Sequence, residues 1–267
     1  MSLSADSTDR DRGLLSSVQR ALRVLDVVST SPDGITAKAV ARRADLKLST
    51  TYHLLNTLVN EGYLVHLDEP RGFGLGYKIP TLYQRLHAKL DVIPEVASAV
   101  AAVHAMAGAA AYYANFRDTD IVIAHVVDSP QAPRLGPLSV GFHESAHATA
   151  FGKVMLAALT PGRRRDYLLS HGMGKLTPMT VTDRGELEIE LEQARIDGVV
   201  AEIEELKLRF ACLAAPVRDH RGKVTGAISV SVPAIEFEER RPALERAVIQ
   251  GAEQTERALA VTGVYGH

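Results

Sequence analysis

Three groups of residues in this 267-residue chain have types and spacings that could do chemistry. His143-Glu144-Ser145-Ala146-His147 matches H-E-x-x-H. Inside a helix that spacing sets two zinc ligands on one face, with a glutamate as general base. Gly72, Gly74 and Gly76 form G-x-G-x-G, which resembles a phosphate-cradling loop. Ser49, Thr50, Tyr52, His53 and Asn56 form a row of short hydrogen-bonding side chains.

The first two patterns lack the elements that would make them work. Gly136-Pro137 and Gly141 precede the histidines, so a helix is expected to begin only near His147. The two rings would then not share a helical face, and no third ligand is signalled. No metal and no cofactor are expected. A metal-dependent hydrolase built on His143, Glu144 and His147 is the enzymatic alternative. The glycines have the wrong spacing for a dinucleotide fingerprint, and no helix opens directly after a strand. A turn in a hairpin accounts for them.

The third group has its element. Leu54, Leu55 and Leu58, with Thr51 at the edge, fall on one helical face. Ser49 reads as the N-cap of that helix. Ser49, Thr50, Tyr52, His53 and Asn56 then point outward, without the Lys/Glu mixture of a merely solvated face. Such a surface suits the major groove of DNA, where side-chain donors and acceptors read base edges. Arg42, Arg43 and Lys47 are placed to reach phosphates, as is Arg71 from the turn that follows. Phosphate contacts position the protein and base contacts specify sequence.

The neighbouring segments agree. Val18, Ala21, Leu22, Leu25 and Val28 predict a first helix after a serine cap, and Thr36 caps a second over Ala37 to Arg43. Two short helices joined by a few residues, the second with a polar outer face, make a helix-turn-helix. Tyr63 to Leu67 and Phe73 to Leu75 then read as a hairpin, so the motif is winged. Ile79 to Leu90 is a connecting helix, with Leu82, Leu86 and Leu90 in register. Beyond it, Pro94 opens a helix to about Gly108, and strands are expected at Ala111 to Phe116 and Ile121 to Val127. A helix over His147 to Leu159 is followed by one from Pro161 and another ending at Asp197. Strands at Val199 to Glu202, Phe210 to Arg218 and Thr225 to Val232 precede a last helix, Arg241 to Val261. Hairpin-paired strands with flanking helices give an α/β (α+β) domain with a mainly antiparallel sheet. The expected division is a disordered tail (1–13), a winged helix-turn-helix (14–76), a linker helix (77–91) and a ligand-sensing domain (92–267).

Composition sets the frame. Apolar residues make up 46% and charged residues 23%, which permits large cores and excludes wholesale disorder. The one cysteine, Cys212, allows no internal disulfide and fits a reducing cytoplasm. Val96 to Asn115 lacks any formal charge, but alanines, His104 and Gly108 favour a helix followed by a strand over a membrane span. The net charge of −2 divides into +3 over Arg10 to Lys78 and −3 from Ile79 onward, with Asp6 and Asp9 ahead of both supplying the remaining −2. A basic front and an acidic back suit nucleic acid bound by the first part only.

Three stretches together resemble the IclR family of bacterial transcriptional regulators: Ser17 to Leu64 with Ser49-Thr-Thr-Tyr-His-Leu-Leu; His147-Ala-Thr-Ala-Phe-Gly-Lys-Val-Met-Leu-Ala; and Gly198 through Cys212-Leu-Ala-Ala-Pro-Val to Gly226-Ala-Ile-Ser-Val-Ser. The resemblance implies a GAF-like effector-binding domain behind the winged helix. It implies homodimers, in some members dimers of dimers, on palindromic double-stranded operators, here with a repressor of a catabolic operon expected. The effector implied is a small organic acid or an aromatic or acyl metabolite. Matching the family pattern places Ala150 and Phe151 as backbone donors at a helix start, and Glu202, Phe210, Cys212, Ser229 and Ser231 around the effector. The chain departs from the family pattern at His53, where arginine is usual, and at Ser231-Val232-Pro233, where Ser-Gly-Pro is usual. The remaining alternative is an architectural DNA binder without a ligand.

Overall fold

The structure, a computed structural model, describes residues 14–68, 72–90 and 92–262. The expected tail, Arg71, and the side chains of Leu86 and Leu90 lie outside the described residues. The chain forms two compact units, Met1–Leu86 and His87–His267.

The first unit contains helices α1 (Ser16–Ser29), α2 (Ala37–Ala44) and α3 (Leu48–Asn60) and an antiparallel hairpin, β1 (Leu64–Leu67) with β2 (Gly72–Leu75). Val24, Val28, Val40, Leu55, Leu64 and Phe73 close one core among them. The Thr36 hydroxyl caps α2, accepting the Ala39 N–H at 3.4 Å. Asp45, in the left-handed region at φ 52°, ends α2 while the Leu46 N–H donates to the Ala41 carbonyl at 2.9 Å. After that reversal Lys47 is extended, at φ −64° and ψ 141°, and is the N-cap of α3. Ser49 is not the cap; it lies inside the first turn with its side chain exposed. The glycine pattern belongs to the hairpin. The Gly76 N–H donates to the Tyr63 carbonyl at 2.7 Å, and a Cβ there would sit 2.2 Å from the Gly62 carbonyl oxygen.

The apolar repeat of α1 mixes two faces. Val24 and Val28 are buried, whereas Val18 and Leu22 are about half exposed and continue a stripe from Leu14 and Leu15. Its N-cap is Leu15 rather than a serine, with no side-chain cap bond. Helix α4 (Lys78–Leu90) follows the hairpin.

The second unit is built on a five-stranded antiparallel sheet, ordered β4-β3-β7-β6-β5. Its strands are β3 (Ala110–Arg117), β4 (Asp120–Val127), β5 (Val200–Ile203), β6 (Phe210–Arg218) and β7 (Val224–Pro233). Alternation along β7 divides the domain. Ile228, Val230 and Val232 face one core, under α5 (Pro94–Ala107) and α9 (Ala234–Thr262). Ala227, Ser229 and Ser231 take the other face, with α6 (Ala150–Ala158), α7 (Pro161–His171) and α8 (Arg184–Asp197). The uncharged run from Val96 is α5, a left-handed Gly108 stop and β3. Among the described residues no helix is long and apolar enough to cross a membrane.

Helix α9 begins at Ala234, seven residues before its expected start, and runs through Pro242. Proline removes one hydrogen bond of the ladder. Phe237 and Leu244, on either side of it, are 1% exposed, so packing against the sheet carries the helix across.

One buried ion cluster fastens the α6 layer. The Lys153 ammonium, 2% exposed, lies 2.6 Å from a carboxylate oxygen of Glu190 on α8 and also donates to Glu205, which follows β5. Nearby, Arg164 of α7 bonds Glu188 of α8 through Nε at 3.1 Å and caps α6 by donating to the Leu156 carbonyl at 3.2 Å. Removing one partner from such a cluster leaves the others as uncompensated charge. Lys153→Met is expected to destabilise this domain by about 3–5 kcal/mol in urea denaturation. Lys153→Met/Glu205→Gln should recover part of that loss. Additive losses would show that the two groups are not coupled.

Candidate functional site

On the first unit, α3 exposes Ser49, Tyr52, His53 and Asn56, while Thr50 is half-buried toward α1. No carboxylate interrupts this helix. The inward face is fixed by Thr51 and Leu55, both 0% exposed, with the Thr51 hydroxyl donating to the Lys47 carbonyl at 3.1 Å. A rigid inner face holds the outward side chains in register. Arg42, Arg43 and Lys47 are exposed beside them, and Arg43 is steadied by donating to the Ser31 hydroxyl at 3.0 Å. Arg71, the expected contact from the hairpin, lies outside the described residues.

On the second unit, strand register gathers residues distant in sequence. Glu202 pairs with Cys212, Cys212 with Ser231, and Ser231 with Ala110, forming one row across the sheet. Ser229, two residues before Ser231, faces the same side and pairs with Tyr112. Phe210 joins the same core from the end of β6. Glu202, Cys212, Ser229 and Ser231 are all buried. Thr149 caps α6, its hydroxyl accepting the Gly152 N–H at 3.2 Å. Ala150 and Phe151 are the first two helical residues, whose N–H groups have no partner within a helix. Gly152 permits this tight start, since a Cβ there would meet the Ala146 carbonyl oxygen at 2.2 Å. Ala150, Phe151 and Cys212 share one continuous core with Tyr112.

The protonation chemistry of this face is distinctive. Burial raises the Glu202 carboxyl to about 7, against hydrogen bonds from the Cys212 thiol and the Glu205 backbone that favour its ionised form. Its Oε2 accepts the N–H groups of Glu205 and Leu206 at 3.0 and 3.4 Å. Burial also pushes the Cys212 thiol well up, which disfavours the nucleophilic thiolate. Sequence reasoning missed Tyr112. Its hydroxyl hydrogen-bonds the Ser231 hydroxyl at 2.8 Å and accepts the Leu135 N–H at 3.0 Å, and burial raises it to about 12. The segment 128–145 thus rests Leu135 and Leu138, each 1% exposed, on the same core. Only the β3–β7 register could have revealed Tyr112. The Ser-Val-Pro departure has little bearing here, because Val232 faces the opposite core.

The H-E-x-x-H match does not assemble. His143 and Glu144 are exposed and outside any helix, and His143 Nδ1 lies 2.9 Å from the Gly141 carbonyl. His147 sits in a 3-10 turn, Ala146–Ala148, buried, with Nε2 3.1 Å from the Gly174 carbonyl. Burial lowers its pKa, so Nε2–H donates to that carbonyl and Nδ1 is left without a hydrogen-bond partner. The α-helix starts after it, at Ala150 rather than His147. No cluster of metal-ligating side chains forms among the described residues.

Comparison with known proteins identifies the family of both domains. Residues 17–68 match the IclR helix-turn-helix domain, and residues 84–257 match the bacterial transcriptional regulator IclR C-terminal domain. The transcriptional regulator Rv1719 of Mycobacterium tuberculosis is 29% identical over 258 residues, 92% of this chain and 93% of that one. The DNA-binding transcriptional repressor YiaJ of Escherichia coli is 25% identical over 218 residues, 81% and 77% of the two chains. The crystal structure of an IclR homolog from Microbacterium hydrocarbonoxydans, complexed with 4-hydroxybenzoate, superposes with a TM-score of 0.64 at 25% identity, covering 91% of this chain and 99% of that one. A helix-turn-helix whose second helix offers an uncharged polar face, joined to an antiparallel-sheet domain matching the second family model, places this chain in the IclR family of bacterial transcriptional regulators.

Proposed function

We propose that the chain is a ligand-released repressor that binds a palindromic operator as a dimer. The observation that carries this reading is the carboxylate-free outer face of α3, held by a fully buried inner face. Ser49, Tyr52, His53 and Asn56 read base edges; Arg42, Arg43 and Lys47, with Thr50 and Arg71, engage the backbone. His53 replaces the arginine usual in the family. An imidazole ring cannot make the bidentate contact that guanidinium makes to guanine, so base preference shifts at that position. The apolar stripe of Leu14 and Leu15, just before α1, with Val18 and Leu22 on it, supplies a face for a second copy of the chain. An isologous pairing of that kind presents two α3 helices to two half-sites. The sign of regulation follows relatives such as the repressor YiaJ.

The effector site proposed is the buried row Glu202, Cys212 and Ser231, with Ser229, Phe210 and the backbone N–H groups of Ala150 and Phe151. A helix N-terminus attracts anionic oxygen. Glu202, raised to about 7, is partly protonated near neutral pH and can donate to a ligand carboxylate where an ionised glutamate would repel it. A small carboxylic acid with a flat body fits this chemistry, in keeping with the 4-hydroxybenzoate held by the homolog. Entry requires Tyr112 to release Ser231 and segment 128–145 to shift. α4 links the units and is the natural coupler. A ligand acts only through different affinities for the operator-competent and incompetent states.

Selection from random duplexes should yield an inverted repeat. On that duplex, Asn56→Ala should narrow the gap to a shuffled duplex by about 1–3 kcal/mol, whereas Arg42→Ala should weaken both alike. Equal loss of discrimination in both variants would contradict this division of roles. In the second unit, small aromatic acids including 4-hydroxybenzoate should raise the melting temperature and weaken operator binding. Their affinity should fall as pH rises through about 7, as Glu202 loses its proton, and Glu202→Gln should flatten that dependence. An unchanged pH profile in that variant would remove Glu202 from the site.

A further inference from the structure

The first unit has a second polar concavity beside the reading face of α3. A groove of about 660 Å³ opens between the first turns of α1 and α3. Ser16, Gln19 and Arg20 form one wall; Lys47 and Thr50 form the other. Arg23, Asp45 and Leu46 complete it, so three cations face a single carboxylate. Arg23 is anchored, donating to the Ala44 carbonyl at 3.4 Å. Arg20 and Lys47 are exposed, and neither side chain has an ion-pair partner among the described residues. The other side chains on the two walls, an amide and two hydroxyls, all carry hydrogen-bond donors. Neither Leu15 nor Lys47, the N-caps of the two helices, has a side-chain cap bond, so free backbone N–H groups add to the positive character.

We propose that Arg20, acting with Lys47 and Thr50, forms a clamp for a DNA phosphate flanking the bases read by α3. This rests on the DNA-binding reading above and adds α1 to it, since Arg20 is absent from the contacts expected from the sequence. The geometry favours a backbone phosphate over a free one, because Thr50 and Lys47 belong to the first turn and cap of the helix whose Ser49, His53 and Asn56 face outward. The guanidinium fork suits a phosphate's paired oxygens, whereas lysine acts as a point charge.

The test is binding of the full-length protein to a random-sequence duplex and to the selected one across a salt series. Loss of one phosphate contact lowers the log–log salt slope by about 0.9. The Arg20→Ala defect should therefore shrink about 3.5-fold between 50 and 200 mM salt, following from that slope. The ratio of specific to non-specific affinity should stay unchanged. Arg20→Lys should retain the slope, and Arg20→Gln, which keeps a polar side chain, should behave as Arg20→Ala if the alanine variant folds poorly. A wild-type slope in both neutral variants overturns the clamp while leaving the DNA reading standing. Failure of the wild-type protein to bind any duplex overturns both. Thermal stabilisation by inorganic phosphate that depends on Arg20, with an unchanged duplex slope, would instead make the groove a free-anion site and overturn the proposal.

Discussion

The ammonium of Lys153 is the constraint on which the second unit depends. It is buried under α6 and joins that helix to Glu190 of α8 and to Glu205 beyond β5. A lysine in that position is stable only while both carboxylates stay with it, because isolated charge in a low-dielectric interior is costly. The cluster therefore fixes how α6 lies across the sheet, and with it where Ala150 and Phe151 begin the helix. The backbone of Glu205, tied by its side chain to Lys153, donates to Glu202 at the head of the buried row. The proposed effector site and α6 are thus joined by one chain of contacts, from Glu202 through Glu205 to Lys153.

This arrangement gives the proposed sensing its economy. Glu202, Cys212 and Ser231 lie side by side because three strands pair antiparallel in one register. Tyr112 occupies the hydroxyl of Ser231 and supports Leu135 of the covering segment. A ligand that takes over the Ser231 contact must displace Tyr112, and the segment resting on it must respond. The first unit works by the opposite principle. Its α3 packs a fully buried inner face and leaves Ser49, Tyr52, His53 and Asn56 exposed.

The sequence was most legible where local rules and packing agree. Thr36 caps α2 and Gly108 stops α5, as a side chain in the one and the lack of one in the other dictate. Glycine and proline upstream of His143 mark a loop there, and the α-helix begins later than its expected start at His147, at Ala150. Legibility failed where tertiary contacts override local preference. Periodicity gave α1 a single apolar face because an exposed stripe and a core stripe look alike in one dimension. Pro242 sits inside α9, where packing on the sheet outweighs one lost hydrogen bond. Ser49 resembles a cap, but after the left-handed Asp45 the cap is Lys47 and the helix starts at Leu48. Lys153 and Tyr112 gave no local signal at all, since their partners lie 37, 52 and 119 residues away.

The central claim is that ligand binding in the buried row and DNA binding by α3 are energetically linked. Linkage requires the coupling to be reciprocal. The decisive measurement is the affinity of the full-length protein for its selected duplex with and without a saturating stabilising acid, paired with the affinity for that acid with and without saturating duplex. The account predicts the same factor in both directions, in the range of about 5–150-fold. A ligand that binds the second unit tightly while leaving duplex affinity unchanged would contradict it.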